Sequence, residues 1–280
     1  MSPTTLRYEV AGRVARITLD RPERANAITL AMPRELAEAV EEANLDPAVH
    51  VIALSGSGKG FCGGYDLVEY AETQAPNHDP SQPWDPVTDW QMMSRNLRGF
   101  MSLFHSDKPV ACKVHGFCVA GGTDMALCSD LLVIADDARI GYPPARVWGV
   151  PTSALWAFRV GDQRAKRLLF TGDLIDGRTA HEWGLAVEAP PAAELDARFD
   201  ELVERIALTP VNQLVMMKLL VNQALFAQGL QATQALGVFF DGIARHTPEG
   251  YEFQRRAAES GFKEAVRERD RPYDAPQSPE

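Results

Sequence analysis

A chain of 280 residues with 45% hydrophobic content holds enough apolar material for one large domain, or for a core with a smaller unit attached. Its formal net charge of −10, with the acids spread along the chain, argues against nucleic acid or an anionic membrane surface as the main partner. No signal-like N-terminal segment is visible and no run reaches the roughly 18 apolar residues of a membrane span, so a soluble, cytoplasmic protein is expected.

The opening YEVAGRVARITLDRP alternates around a glycine and predicts a β-hairpin ending at Pro22. In TLAMPRELAEAVEEANLD the apolar residues recur at helical spacing, with Thr29 as the expected N-cap and Asp46-Pro47 as the stop. HVIALSG, PVACKVHG and DLLVIADD read as buried strands, and ARIGYP as a further short one. Between the second and third of these lies room for a short helix. Strands alternating with helices in this order predict an α/β architecture with a largely parallel sheet.

The stretch Ala71 to Trp90 has four prolines and little periodicity. A loop of that length inside a domain is usually functional, and Trp84 and Trp90 favour a lid over a plain linker. From about residue 192 the pattern is helical almost to Asp270. The expected organisation is an α/β core over 1–191, a helical region over 192–267 and a polar, proline-rich, disordered tail over 268–280.

The four cysteines, Cys62, Cys112, Cys118 and Cys128, are too few for a disulfide scaffold. Cys112 and Cys118 flank His115 at a spacing that suggests a metal cluster. They fall on an apolar strand and the turn after it, with no fourth ligand near, so no metal is expected.

Two glycine pairs carry the chemistry. Gly63-Gly64 follows the strand HVIALSG, and Gly121-Gly122 follows another strand and opens a helix. Glycines let main-chain N–H groups face a ligand without a side chain in the way, and a helix start adds free donors. If the turns adjoin, one N–H from each can grip a single oxygen, as in an oxyanion hole.

The segments RPERANAI, GKGFCGGYDL, KPVACKVHGFCVAGGTDMALCSDLLVIADDARIG and RLLFTGDLIDGRTAHEWGLAVE, in this order, resemble the crotonase superfamily, or enoyl-CoA hydratase/isomerase family. The likeness runs from about residue 5 to about 268. It implies a spiral of ββα units and a C-terminal helical region that mediates trimers, often paired into hexamers. It also implies an acyl-CoA thioester as substrate, with no separate cofactor because coenzyme A is part of the substrate.

Carried over by position, the oxyanion-hole N–H groups belong to Tyr65 and Gly121. Arg24, Ala25 and Ala27 would line the CoA moiety and Lys59 would meet its phosphates, as cationic donors in an acidic chain can. Gly63, Asp66 and Leu67 beside the first turn, Gly122 beside the second, and Pro144 and Trp148 near the acyl end complete the candidate contacts.

The family's hydratases use two glutamates, because adding water across a conjugated double bond needs both a base and an acid. Here the first position is Asp124, whose side chain is shorter by roughly 1 Å, a displacement that can lower a rate about a hundredfold. The second is Pro144, which transfers no proton. Three roles for Asp124 stay open: a lone acid/base, a partner of a lid group (Asp79, Asp85, Asp89 or His78), or a first-turn acid favoured by the helix N-terminus. Arg146 is a candidate for a substrate carboxylate or for an ion pair. An acyl-CoA enzyme with Asp124 moving a proton is therefore expected. A non-catalytic acyl-CoA binder and a CoA-ester decarboxylase or hydrolase are the alternatives.

Overall fold

The computed structural model describes residues 4–73 and 82–273. It opens with a hairpin of β1 (Leu6–Ala11) and β2 (Val14–Leu19), paired antiparallel from Leu6↔Leu19 to Ala11↔Val14. Gly12 supplies the positive φ of 60° that a two-residue hairpin turn favours. Helix α1 (Met32–Leu45) buries Met32, Leu36, Ala39, Val40 and Ala43, one stripe at helical spacing. Its N-cap residue is Ala31 rather than Thr29, yet the Thr29 Oγ1 still accepts from the Met32 N–H at 3.1 Å.

The strands β3 (Val51–Gly56), β4 (Val110–Val114), β5 (Phe117–Val119), β6 (Leu131–Ile134), β7 (Arg139–Gly141) and β8 (Leu174–Asp176) form two sheets with the hairpin. One runs β1-β2-β3-β4-β6 and is parallel beyond the hairpin; the other runs β5-β7-β8. The three-residue strands β5 and β8 are too short to leave a periodic signal.

Helix α2 (Pro86–His105) begins inside the stretch expected to be a lid. The Asp85 carboxylate accepts from the Val87 and Thr88 N–H groups, and Pro86 occupies the first helical position. A lid over Ala71 to Trp90 is thus corrected at its far end: the sequence from Asp85 onward is a capped helix start. His78 and Asp79 lie outside the described residues.

Helices α3 (Gly121–Ala126), α4 (Trp156–Val160), α5 (Asp162–Thr171) and α6 (Gly177–Glu182) complete the core region. Trp156, Phe61, Phe100 and Phe104 are among its fully buried side chains, and Phe199 of the following helical region is buried with them. The helical region follows as α7 (Leu195–Ala207), α8 (Val211–Ala227), α9 (Leu230–Arg245), α10 (Pro248–Ser260) and α11 (Phe262–Asp270).

The start of the expected disordered tail is instead ordered. Helix α11 continues to Asp270, and a 3₁₀ turn runs to Tyr273, whose ring lies 3.9 Å from the Arg146 guanidinium. Residues 274–280 lie outside the described residues. Among the described residues no helix is long and apolar enough to cross a membrane, and no three His, Cys, Asp or Glu side chains converge on a metal-sized site.

Candidate active site

The site is assembled from loops that follow parallel strands. Asn26, buried and at φ 52°, is its pin: its amide donates to the carbonyls of Ser57, Gly60 and Phe61, and its Oδ1 accepts from the Arg21 N–H. These bonds fasten the turn of residues 21–28 onto the loop after β3. Arg21 then pairs with Asp66 at 3.1 Å and donates to the Ala27 carbonyl at 2.8 Å. Asp66, one of the expected ligand contacts, thus fastens the turn through Arg21. Arg24, Ala25 and Lys59 lie exposed on this surface, and Ala27 is half-buried.

The two glycine turns adjoin. A Cβ added to Gly64, which sits at φ 98°, would meet the Ala120 Cβ at 2.9 Å and the Gly121 nitrogen at 3.7 Å. One added to Gly121 would strike the Tyr65 ring at 2.6 Å, and one on Gly122 the Cys62 carbonyl at 2.8 Å. Glycine is required at all three positions by space, and at Gly64 by φ as well. Among the described residues, neither the Tyr65 nor the Gly121 N–H has a hydrogen-bond partner. Two unpaired donors at the junction of two turns can hold one developing oxyanion.

Tyr65, Gly121 and Gly63 stand on the wall of a cavity of about 390 Å³. Its apolar lining includes Leu67, Met92, Val119, Pro144 and Trp148, and α10 and α11 close it with Phe253 and Val266. Trp148 is held at φ 86°, a conformation costing a bulky residue about 1–3 kcal/mol. Packing offsets that strain: its ring lies 5.3 Å from both Phe253 and Phe262.

Asp124 is fully buried in the first turn of α3, and it is not among the cavity-lining residues. Its Oδ1 accepts from the Ser153 N–H at 2.9 Å and hydroxyl at 2.7 Å, while Oδ2 has no partner among the described residues. Burial raises its pKa to about 7, with Asp241 adding to the rise, against the pull of the Ser153 bonds and a weaker one from the Thr152 N–H. The Tyr65 and Tyr142 hydroxyls, pushed upward chiefly by their own burial, feel the Asp124 charge as well, and both residues line the cavity.

A second buried cluster stands on α2 and α9. The Arg245 guanidinium donates to both Asp241 and Asp89, which are 4% and 1% exposed. Asp241 also accepts from the Val150 N–H, and Asp89 from the Trp84 indole at 3.2 Å. His246 stacks on Trp84 with ring centroids 4.4 Å apart, and burial lowers its pKa. Asp89 was within sequence reach, but Asp241, Arg245 and His246 were not singled out. The signal for the pair was an acid and a base four residues apart on the apolar helix α9.

Arg146 resolves as an ion-pair residue. It is 9% exposed, pairs with Asp270 at 2.9 Å and Asp173 at 3.6 Å, and donates to the Thr171 carbonyl. The cysteines are all buried, and burial pushes the Cys62 thiol up to about 12, which removes it as a nucleophile at neutral pH.

The enoyl-CoA hydratase/isomerase family model matches residues 9–251. A solved structure described as an enoyl-CoA hydratase from Mycobacterium smegmatis superposes with a TM-score of 0.92 at 61% identity, covering 96% of this chain and 94% of that one. A carnitinyl-CoA dehydratase of Proteus mirabilis is 30% identical over 72% of this chain and 74% of its own length. A hydroxycinnamoyl-CoA hydratase-lyase of Pseudomonas fluorescens is 32% identical over 68% of each. With the adjoining glycine turns, this likeness over most of its length shows that the chain belongs to the enoyl-CoA hydratase/isomerase family, in the crotonase superfamily.

Proposed function

We propose that the protein is an acyl-CoA enzyme of the hydratase/isomerase type that holds the thioester oxygen between the N–H groups of Tyr65 and Gly121. The observation that carries this is the pair of unpartnered main-chain donors at the cavity wall. Negative charge developing on the thioester oxygen is stabilised there without reorganisation of the backbone. The acyl group fills the cavity toward α2 and α9, and the CoA moiety lies over the exposed turn of Arg24, Ala25 and Ala27, near Lys59.

The proton step is assigned to Asp124. A carboxyl whose pKa stands near 7 both gives and takes a proton at neutral pH, which suits acid/base work at carbon 2 of a thioester. Asp124 lies behind the wall, and Tyr65 and Tyr142, which line the cavity, feel its charge. Pro144 lines the cavity and offers no second acid. That favours proton transfer with one carboxyl over hydration by two, and keeps a non-catalytic acyl-CoA binder as the second reading.

The helices α8 and α9 leave Met216, Leu220, Val221, Leu236 and Phe239 exposed. Such an apolar surface supports self-association, which we assign as a trimer or a dimer of trimers of a cytoplasmic enzyme.

Proton exchange at carbon 2 of saturated and enoyl-CoA esters in deuterium oxide, followed by NMR, tests the assignment. The native protein is expected to exchange or hydrate at least one ester. Asp124→Asn should lower that rate by about 10²–10⁴-fold while CoA-ester binding persists. Undiminished turnover in the variant removes Asp124 from the mechanism. Tight binding without exchange at any chain length establishes the binder instead.

A further inference from the structure

Pro144 brings no second carboxyl to the cavity, but the residue two places before it brings a polar group to the same spot. Tyr142 joins the end of β7 to a 3₁₀ turn, Pro143–Arg146. The carbonyl of the preceding Gly141 accepts from the Ala120 N–H at 3.1 Å, which ties Tyr142 to the turn that carries Gly121. Two prolines follow, and a residue before proline is held out of the helical region. Tyr142 accordingly sits at φ −129° and ψ 69°.

The residue is 3% exposed and lines the cavity. Its hydroxyl has no hydrogen-bond partner among the described residues and, unlike the Tyr65 hydroxyl, it is not fully occluded. Gly149, also on the cavity wall, marks where it points. A Cβ built on Gly149 would stand 3.5 Å from the Tyr142 hydroxyl oxygen and 2.8 Å from the Pro144 Cβ. The tip of the phenol and the side chain of residue 144 therefore meet at one glycine. The hydroxyl stands beside the point from which a carboxyl on residue 144 would extend.

The surroundings keep that hydroxyl protonated. Burial raises its pKa most, the charges of Asp124 and Asp241 and the Tyr65 hydroxyl add to the rise, and Arg245 opposes it. Asp124 belongs to α3, and Asp241 and Arg245 to α9, with Asp241 accepting from the N–H of Val150, directly after Gly149. A neutral phenol is a proton donor, and the carbon of a thioester enolate is a far stronger base than a phenolate.

Resting on the functional reading above, we propose that Tyr142 is a second catalytic residue, whose phenol delivers a proton to the acyl chain of the enolate held by Tyr65 and Gly121. The phenol O–H bond breaks and a C–H bond forms from the electron pair of the enolate double bond, while the thioester C=O forms again. The proton first removed from the substrate rests on Asp124, a far stronger acid than the phenol, and its return to the phenolate restores both groups. Asp124 and Tyr142 together do with one carboxyl and one phenol what two carboxyls would do.

The test begins with Tyr142→Phe, which removes the hydroxyl and keeps the ring. Turnover of enoyl-CoA esters, and proton exchange at carbon 2 in deuterium oxide, should fall about 10²-fold while the Kd for the ester is unchanged. The unchanged Kd reports a folded protein with its pocket intact. A ring-fluorinated tyrosine at position 142, which lowers the phenol pKa at nearly constant shape, should move the alkaline limb of the pH–rate profile to lower pH. A group with a merely structural role leaves that limb where it is. Full turnover in Tyr142→Phe, or a limb unmoved by fluorination, overturns the proposal and leaves the functional reading standing. A native protein that neither turns over nor exchanges any ester overturns both.

Discussion

Two buried acid sites in this molecule meet the same problem with different partners. Asp89 and Asp241 share the Arg245 guanidinium, one cation between two carboxylates, and burial raises the Asp241 pKa against its pull. Asp124 has the uncharged N–H and O–H of Ser153 on one oxygen, a weaker pull from the Thr152 N–H, and no hydrogen-bond partner among the described residues on the other oxygen. Burial without a cation brings its pKa to about 7. Asp89 and Asp241 line the cavity and are held by a cation; Asp124 lies behind the wall and has none.

The clamp is best broken by Arg245→Ala, the largest effect expected. It strands two buried carboxylates, so unfolding free energy in urea at pH 7 should drop by about 3–5 kcal/mol. A loss under about 1 kcal/mol would mean that the cluster is already neutral or solvated.

Asp124 predicts the reverse. The folded state holds a proton that the unfolded chain releases at the ordinary aspartate pKa. Stability therefore declines as pH rises from about 4 to about 7, by at most about 4 kcal/mol from this group. Asp124→Asn should flatten that part of the curve, so the variant gains on the native protein between pH 5 and pH 8. Parallel stability curves for the two proteins would show that Asp124 carries no such proton.

The smallest effect sharpens the contrast. Ser153→Ala removes the hydroxyl donor to the Asp124 carboxylate, a bond worth about 0.5–1.5 kcal/mol. The apparent pKa in the pH–rate profile should rise by up to about one unit. A downward movement would assign that limb to another group.

Much of this was legible in the residues. The hairpin about Gly12, the helix from Met32 and the two glycine turns followed from local pattern, because each is set by near neighbours. The start of α2 was legible too, in the Asp85-Pro86 cap, but proline-rich composition upstream outweighed it. The Asp89–Arg245 pair joins residues from two distant helices, and no periodicity in one helix announces its partner in another. Nor does sequence spacing tell that Asp124 faces Ser153 rather than the cavity. Tertiary contact decided both.

The cavity wall draws on residues from Gly63 to Asp270, with α10 and α11 laid over it last in chain order. In chain order the strands and the glycine turns all precede Phe253 and Val266. Without α10 and α11 the same two main-chain donors would face an acyl pocket open to water, where a thioester enolate is easily quenched. Completion of the chain is thus what separates a backbone able to grip an oxygen from a chamber able to use it.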